Sequence, residues 1–348
     1  MATRYTIEEA DLLAASAAIQ SLWVANLGGH SPDSAAAKLN LGYRDNPAGR
    51  GIALLLFSEG SPVAKGVHGL HPRRFHFGAR SLNVAGLADY AVDQAHRSLG
   101  PALMLMRSGM QLGASRFDLT YGLPNAKAAP VCTRAGLKRL GSMRRYAKPL
   151  ASREHLSRHL PAWLARTCAP LVDMALSVAD RARVWRDEVK LSFTESAWSE
   201  PAFDALWEQR QASLLLSQRS GEMLRWRFGH PERGQWHVCV AHDASGLPFG
   251  YVIWRVNDGF AEIGDFFSRE PQRQTEALML AFASHARRLG VQTMSVLFFG
   301  DSAVAAQLER SGLRLRADEM PVFTSPGLES QLSSPERWYL TAFDNDAD

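Results

Sequence analysis

Short apolar runs bounded by glycine and proline alternate along this chain with longer stretches whose apolar residues recur every three to four positions. That mixture is expected of an α/β protein. The run Ile52 to Phe57 ends at a turn, Glu59-Gly60-Ser61-Pro62, and Val63-Ala64-Lys65-Gly66 follows it. In the second half, His237 to Ala241, a turn over Asp243 to Pro248, and Phe249-Gly250-Tyr251 repeat the arrangement. Both read as β-hairpins from their turn chemistry. Each follows an aromatic and proline segment: Tyr43-Arg44-Asp45-Asn46-Pro47 in one case, Trp226-Arg227-Phe228-Gly229-His230-Pro231 in the other.

The echo continues downstream. Leu82 to Ala88 reads as a strand that Asp89 to Val92 prolong, and Glu262 to Phe267 keep the same character. Ala102-Leu103-Met104-Leu105 matches Ala277-Leu278-Met279-Leu280. Both open helices expected to end at Gly113 and Gly290, residues suited to the left-handed position past a helix C-terminus. Phe117 to Tyr121 and Met294 to Phe299 read as buried strands, and Arg134-Ala135-Gly136-Leu137-Lys138 matches Arg310-Ser311-Gly312-Leu313-Arg314. Matched positions stay about 175 residues apart, so two copies of one α/β unit are expected. The expected organisation is an N-terminal unit over 1–148, a helical connector over 149–190 and a C-terminal unit over 191–348. In the connector, Trp163, Leu164, Leu171, Met174 and Val178 form an apolar stripe, expected to pack between the units; the other reading is a peripheral contact with a membrane surface. Trp338-Tyr339-Leu340-Thr341 is expected to add a strand before a solvated acidic tail of Asp344, Asp346 and Asp348.

At 348 residues the chain is too long for one core of ordinary size, which agrees with the repeat. A hydrophobic content of 46% with 21% charged residues argues against extended disorder. The net charge of +4 comes without a dense Lys/Arg stripe. It suits an anionic ligand and falls short of a nucleic-acid signature. No apolar run reaches the ~18 residues of a membrane span, and no signal-peptide pattern opens the chain. Cys132, Cys168 and Cys239 show no paired spacing and read as reduced thiols of a cytoplasmic protein. No metal site is expected. His68, His71 and His76 fall on a predicted hairpin without partners at ligand spacing, and read as surface residues or contacts to an anion.

The segment Arg97-Ser98-Leu99-Gly100-Pro101-Ala102 lies between the strand ending Ala91-Val92 and a helix expected over Leu103 to Gln111. The first N–H groups of a helix lack internal acceptors, and the macrodipole favours an anion beside them. Gly100 lets the backbone approach phosphate oxygens, Arg97 supplies a cation, and Pro101 loses nothing at a first-turn position. This hexapeptide resembles the (Gln/Arg)-x-x-Gly-x-(Gly/Ala) loop of the GNAT acyltransferase superfamily at all three defined positions. Asn125, Ala128 and Gly136 are similar to a second family landmark, with Cys132 standing where many relatives carry tyrosine.

The resemblance implies an α/β (α+β) architecture of two tandem GNAT acyl-CoA N-acyltransferase folds. Each would be a mixed, mostly antiparallel sheet flanked by helices, with the cofactor between its fourth and fifth strands. It implies acetyl-CoA, or another acyl-CoA, held by Ala91, Val92, Arg97, Ser98, Leu99, Gly100, Pro101 and Ala102, with Asn125 near the pantetheine arm. Backbone N–H groups near Ala91 and Val92 would polarise the thioester carbonyl. The acceptor implied is an amine on a small molecule, such as an amino sugar of a bacterial cell-surface polysaccharide pathway.

Attack by an amine requires a base, for which Asp89 is the first candidate and Asp93, His96 and Asp118 follow. Cys132 reads either as the proton donor to the departing thiolate or as a small buried residue. Tyr121 or Tyr90 are the substitutes for that donor. In the second copy Gln272 to Ala277 aligns with the loop, but Thr275 replaces the glycine and Glu276 would oppose a phosphate. That copy is expected to lack the cofactor and to complete the acceptor cleft through Asp265, Arg225 and Arg227. Two other classes stand beside this one. One is an aminoacyl transferase of the FemABX type using aminoacyl-tRNA, which would not need the Arg97 to Ala102 loop; the other is a CoA-binding scaffold without catalysis.

Overall fold

The structure, a computed structural model, describes residues 4–157, 160–186, 192–195, 198 and 201–345. A first series of elements comprises β1 (Tyr5–Glu9), α1 (Ser16–Asn26), α2 (Pro32–Leu39), β2 (Ile52–Ser58), β3 (Ala64–Phe77) and β4 (Arg80–Val92). It continues with α3 (Leu99–Arg116), β5 (Leu119–Gly122), α4 (Ala129–Ala135) and β6 (Lys138–Pro149). Helices α5 (Arg153–Ser157) and α6 (Ala162–Arg186) follow. The second series opens with β7 (Ser192–Glu195), α7 (Ala202–Glu208), β8 (Leu215–Ser217), α8 (Gly221–Phe228), β9 (His237–His242) and β10 (Pro248–Asn257). Next come β11 (Phe260–Ser268), α9 (Pro271–Arg288), β12 (Thr293–Gly300), α10 (Ser302–Arg310) and β13 (Arg314–Thr324), and β14 (Trp338–Thr341) closes it.

The expectation of two separate sheets is corrected by the strand pairing. Fourteen described strands join in one sheet, in the order β1-β2-β3-β4-β5-β13-β6-β12-β11-β10-β9-β7 with β8 and β14 attached. The reason is an exchange. Strand β5 pairs antiparallel with β13 from the second series, while β12 pairs antiparallel with β6 from the first. β6 and β13, the two exchanged strands, also pair with each other. Strand β14 then bridges β12 to β8, and β8 pairs with β3, so β3-β4-β5-β13-β6-β12-β14-β8 closes on itself as a barrel.

The barrel closes around its own apolar core. Phe75, Val84, Tyr121, Met143, Leu215, Phe299, Val322 and Trp338, one from each barrel strand, belong to a single buried cluster. A Cβ on Gly300 would lie 1.7 Å from the Trp338 carbonyl oxygen, so glycine is what lets β14 seat against β12. The two long faces outside the barrel are covered separately. On one, α1 and α2 bury Ile19, Trp23 and Leu39, and the turn just after α2 buries Tyr43, against Leu55 and Val67; on the other, α3 buries Leu105 against Leu54 and Leu56.

Several local expectations need correction. Helix α3 starts at Leu99 rather than Leu103, which makes Leu99 to Ala102 its first turn. It also runs through Gly113, whose missing Cβ admits Thr120: a Cβ there would sit 2.4 Å from the threonine methyl. Gly290 does take φ +77 just beyond α9. Asp344 is buried, not solvated, because Arg219 holds it at 3.0 Å; Asp346 and Asp348 lie outside the described residues. The α6 stripe faces outward rather than between units, with Ala165 and Ala169 turned to the protein instead.

Candidate active site

Strand β4 decides the geometry. It pairs with β5 in parallel from Val84 and Leu119 as far as Leu87 and Gly122, and no further, although β4 continues to Val92. A break in register opposite Val67 and Gly69 coincides with Asp89 at φ 51, a left-handed backbone that aspartate tolerates better than most residues. The resulting bulge carries residues 88 to 92 away from β5, and a cleft opens at Leu87 and Gly122. That stretch of β4 spans about 16 Å at ~3.3 Å per residue. At its apex a pocket is lined by His71, Arg73, Ala88, Tyr121 and Asp344, among others.

The far end of the cleft meets the N-terminus of α3. Arg97 donates from Nε to the Val92 carbonyl at 2.9 Å and from Nη2 to Asn26 at 3.0 Å, which pins its guanidinium beside the strand end. Ser98 makes no side-chain cap, so the N–H groups of Leu99 and Gly100 face outward with no acceptor inside the helix. A Cβ on Gly100 would meet nothing within 4 Å. Arg97 to Gly100 are exposed, Pro101 is buried beneath them, and Ala102 accepts a 2.8 Å hydrogen bond from the Tyr90 hydroxyl. Ala91 and Val92 are buried on the strand with their β5-side edge unpaired by any described strand. These residues fit a pyrophosphate and an extended arm: a cationic side chain, an uncapped 18-residue helix and a free strand edge in line.

Asp89 stands at the centre of a buried polar cluster. Lys38 lies 2.9 Å from one carboxylate oxygen; the Tyr43 hydroxyl (2.8 Å) and His71 Nε2 (3.2 Å) approach the other. The Trp23 indole donates to its backbone carbonyl at 3.3 Å. Burial alone would raise the pKa of this carboxyl, but Lys38 and His71 outweigh it and hold the pKa below the usual range. Such a carboxylate is a weak base and a strong anchor. His71, by contrast, lines the pocket, backed by Asp89 and packed edge-on against Tyr43 at 4.5 Å. The reading of His68 and His71 as surface residues is therefore corrected: both are buried, at 0% and 6% exposure.

The other candidates are scattered. Tyr121 lines the pocket and donates to the Asp344 carbonyl at 2.7 Å. Cys132 is buried among Met106, Leu137 and Phe323, where burial pushes its thiol up to about 12. Burial, and Cys132 beside it, raise the Tyr90 hydroxyl in the same direction. Asn125 is exposed and caps its own turn, accepting from Lys127 and Ala128 at 3.0 Å each. Asp93 caps the short turn after β4, His96 bonds Tyr5 at 3.0 Å, and Asp118 accepts from the Asn83 amide at 2.8 Å.

The second cleft is filled by the chain itself. β11 and β12 part after Ile263 and Val296, and β14 takes the vacated edge of β12 at Phe298 to Gly300. Tyr339 donates across the gap to the Phe266 carbonyl at 2.6 Å, and Thr341 to Asp265 at 2.6 Å. Asp265, expected at an acceptor surface, is instead fully buried against Arg219 and Tyr251. Arg227 is likewise buried, donating to the Asn345 carbonyl at 3.0 Å, while Arg225 is exposed on α8. Trp226 joins the two halves: its indole donates to the Leu41 carbonyl at 2.7 Å, with Arg73 and Arg233 over its ring. On α9, the Thr275 hydroxyl turns back to the Pro271 carbonyl and Glu276 pairs with Arg310.

No family model and no curated protein matches the chain. Solved structures do. A conserved protein from Enterococcus faecalis V583, described as a probable N-acyltransferase, superposes with a TM-score of 0.64 at 13% identity, over 92% of this chain and 72% of that one. A GCN5-related N-acetyltransferase from Anabaena variabilis gives 0.58 at 14% identity, again over 92% and 72%. One from Kribbella flavida gives 0.56 at 12% identity, over 92% and 71%. At these identities the likeness concerns the fold: the chain folds as the GCN5-related N-acetyltransferases do.

Proposed function

We propose that the protein is an acyl-CoA-dependent N-acyltransferase built from two GNAT-type units that have exchanged their sixth strands, with one working cleft, between β4 and β5. The observation that carries this reading is the alignment of three features: the Arg97 to Ala102 helix start, the unpaired β4 edge and the His71 pocket. Arg97 and the amides of Leu99 and Gly100 would hold the pyrophosphate, and the edge beyond Ala88 would pair with the pantetheine amides. Acetyl-CoA, when bound, supplies the activated acyl group. Backbone N–H groups around Ala91 and Val92 are the donors for the developing oxyanion.

In this reading His71 takes the acceptor's proton. Asp89 fixes the ring through Nε2, which leaves Nδ1 for the proton, and Lys38 and Tyr43 hold Asp89 in turn. Tyr121, which lines the same pocket and whose hydroxyl donates to the Asp344 carbonyl, is the candidate to return a proton to the departing thiolate; Cys132 packs too deeply for that role. The acceptor is an amine on a small molecule, and the polar lining makes amino sugars the first class to screen. The second cleft takes no cofactor, since β14 occupies its place.

The test is calorimetric titration with acetyl-CoA of the native protein and of Gly100→Phe. Open space at Gly100 means that the variant folds, while its side chain screens two amides from phosphate. Charge-assisted hydrogen bonds at about 1.5–3 kcal/mol each give an expected loss of roughly a hundredfold or more in affinity. Unchanged affinity would remove the loop from the site.

A further inference from the structure

The two aromatic segments that echo each other in the sequence meet in the structure beside the pocket. After α2 the chain makes one π-helical turn over Asn40–Arg44, closed by the Asp45 amide on the Asn40 carbonyl at 2.9 Å. Turns of this width recur at functional sites. Here the turn bears on His71 in two ways. Gly42 lies against the imidazole: a Cβ there would come within 3.2 Å of Cε1 and 3.4 Å of Nε2. Tyr43 packs edge-on against the same ring at 4.5 Å and crosses Gly69 of β3, where a Cβ would lie 1.9 Å from its hydroxyl, to reach Asp89 at 2.8 Å. Just beyond the turn, Asn46 Nδ2 donates to the carbonyl of Pro72, the neighbour of His71, at 2.9 Å.

The anchor of this turn comes from the second series. The Trp226 indole on α8 donates to the Leu41 carbonyl at 2.7 Å, and both residues are buried. The guanidinium groups of Arg73 and Arg233 lie over the Trp226 ring at 4.9 and 5.2 Å. We propose that Trp226 is a positioning residue for His71: through the Leu41 carbonyl, the second unit fixes the turn that sets the imidazole against Asp89. The proposal rests on the reading of His71 as the group that takes the acceptor's proton. Without the indole N–H a buried carbonyl loses its donor, and the turn must shift to satisfy it. Gly42 and Tyr43 move with the turn, and the ring is then no longer confined to the orientation in which Nε2 faces Asp89.

The experiment uses Trp226→Phe, which keeps an aromatic ring beneath the two arginines and removes the N–H. Protein carrying isotope-labelled histidine is followed by nitrogen NMR at mildly alkaline pH, with His71 assigned by the signal missing from His71→Asn. The native ring should carry its hydrogen on Nε2 at least about tenfold in preference to Nδ1, and the variant's preference should fall below about threefold, the scale of one buried hydrogen bond. Urea melts establish that the variant is folded; should it unfold, Trp226→Tyr, with more of the indole's volume, replaces it. A folded variant with the preference unchanged, even one with a lower urea midpoint, would overturn the proposal and leave Trp226 a packing residue. A native ring without the preference would overturn it too. Calorimetry with acetyl-CoA on the same samples separates the two claims. Failure of the native protein to bind removes the acyltransfer reading, whereas binding with an unmoved His71 signal removes only the role of Trp226.

Discussion

Replacing Arg219 with methionine probes why the second cleft is closed. Arg219 is fully buried and donates to the Ser217 carbonyl and hydroxyl, to Thr341, and to the carboxylates of Asp265 and Asp344. Both carboxylates are themselves buried, and burial pushes the Asp265 carboxyl up even with the guanidinium present. Methionine fills much of the same volume but leaves two acids facing each other without a cation. Breaking a buried pair in this way costs about 3–5 kcal/mol. Urea unfolding at neutral pH, followed by tryptophan fluorescence, should show the midpoint falling by on the order of 1 M. The Arg97 to Ala102 loop is remote from these contacts, so affinity of the folded variant for acetyl-CoA should change by less than about threefold. A destabilisation below about 1 kcal/mol would refute the idea that this cluster clamps β14 into the gap.

Three further outcomes follow from the buried groups. His68 has both ring nitrogens buried, and burial lowers its pKa to about 4, so it stays neutral in the folded chain while the unfolded chain takes up a proton near 6.5. Stability should therefore fall between pH 6.5 and 4, by about 3 kcal/mol from this residue, and a pH series of urea melts on His68→Leu should lose that slope. His71→Asn should lower kcat by roughly a hundredfold or more in an acyltransfer assay while leaving acetyl-CoA affinity intact; an equal fall in both would make His71 a binding residue. Cys132→Ala should retain kcat within about twofold and destabilise by about 1–2 kcal/mol from lost packing, whereas a large fall in kcat would restore the thiol as proton donor.

The parts of this molecule that were legible in the sequence are the local ones. Hairpins announce themselves through turn residues a few positions apart, and the placement of Arg97 to Ala102 between a strand and a helix start is written in neighbouring residues. The strand exchange was not legible. β5 carries the same kind of apolar pattern as β12, and β6 the same as β13, so pairing within or between the two series satisfies the sequence equally well. What the linear pattern does not carry is the shared core, in which Phe299, Val322 and Trp338 of the second series pack in one buried cluster with Tyr121 of the first. His71 was missed because an isolated histidine between apolar residues gives no motif. The available signal was the unbroken run of small and apolar residues around His68, Gly66-Val67-His68-Gly69-Leu70, which suits a strand covered on both faces. The direction of the α6 stripe was likewise hidden: periodicity reports that one face is apolar, not which way it points.

Hydrogen exchange with and without acetyl-CoA tests most directly where the acyl donor sits. Amides of residues 88–92 and of 97–102, the N–H-less Pro101 excepted, should gain protection together on binding, while those of 263–268 and 272–277 should exchange at unchanged rates. Protection appearing in the second pair of segments, or in neither pair, would contradict a single working cleft between β4 and β5.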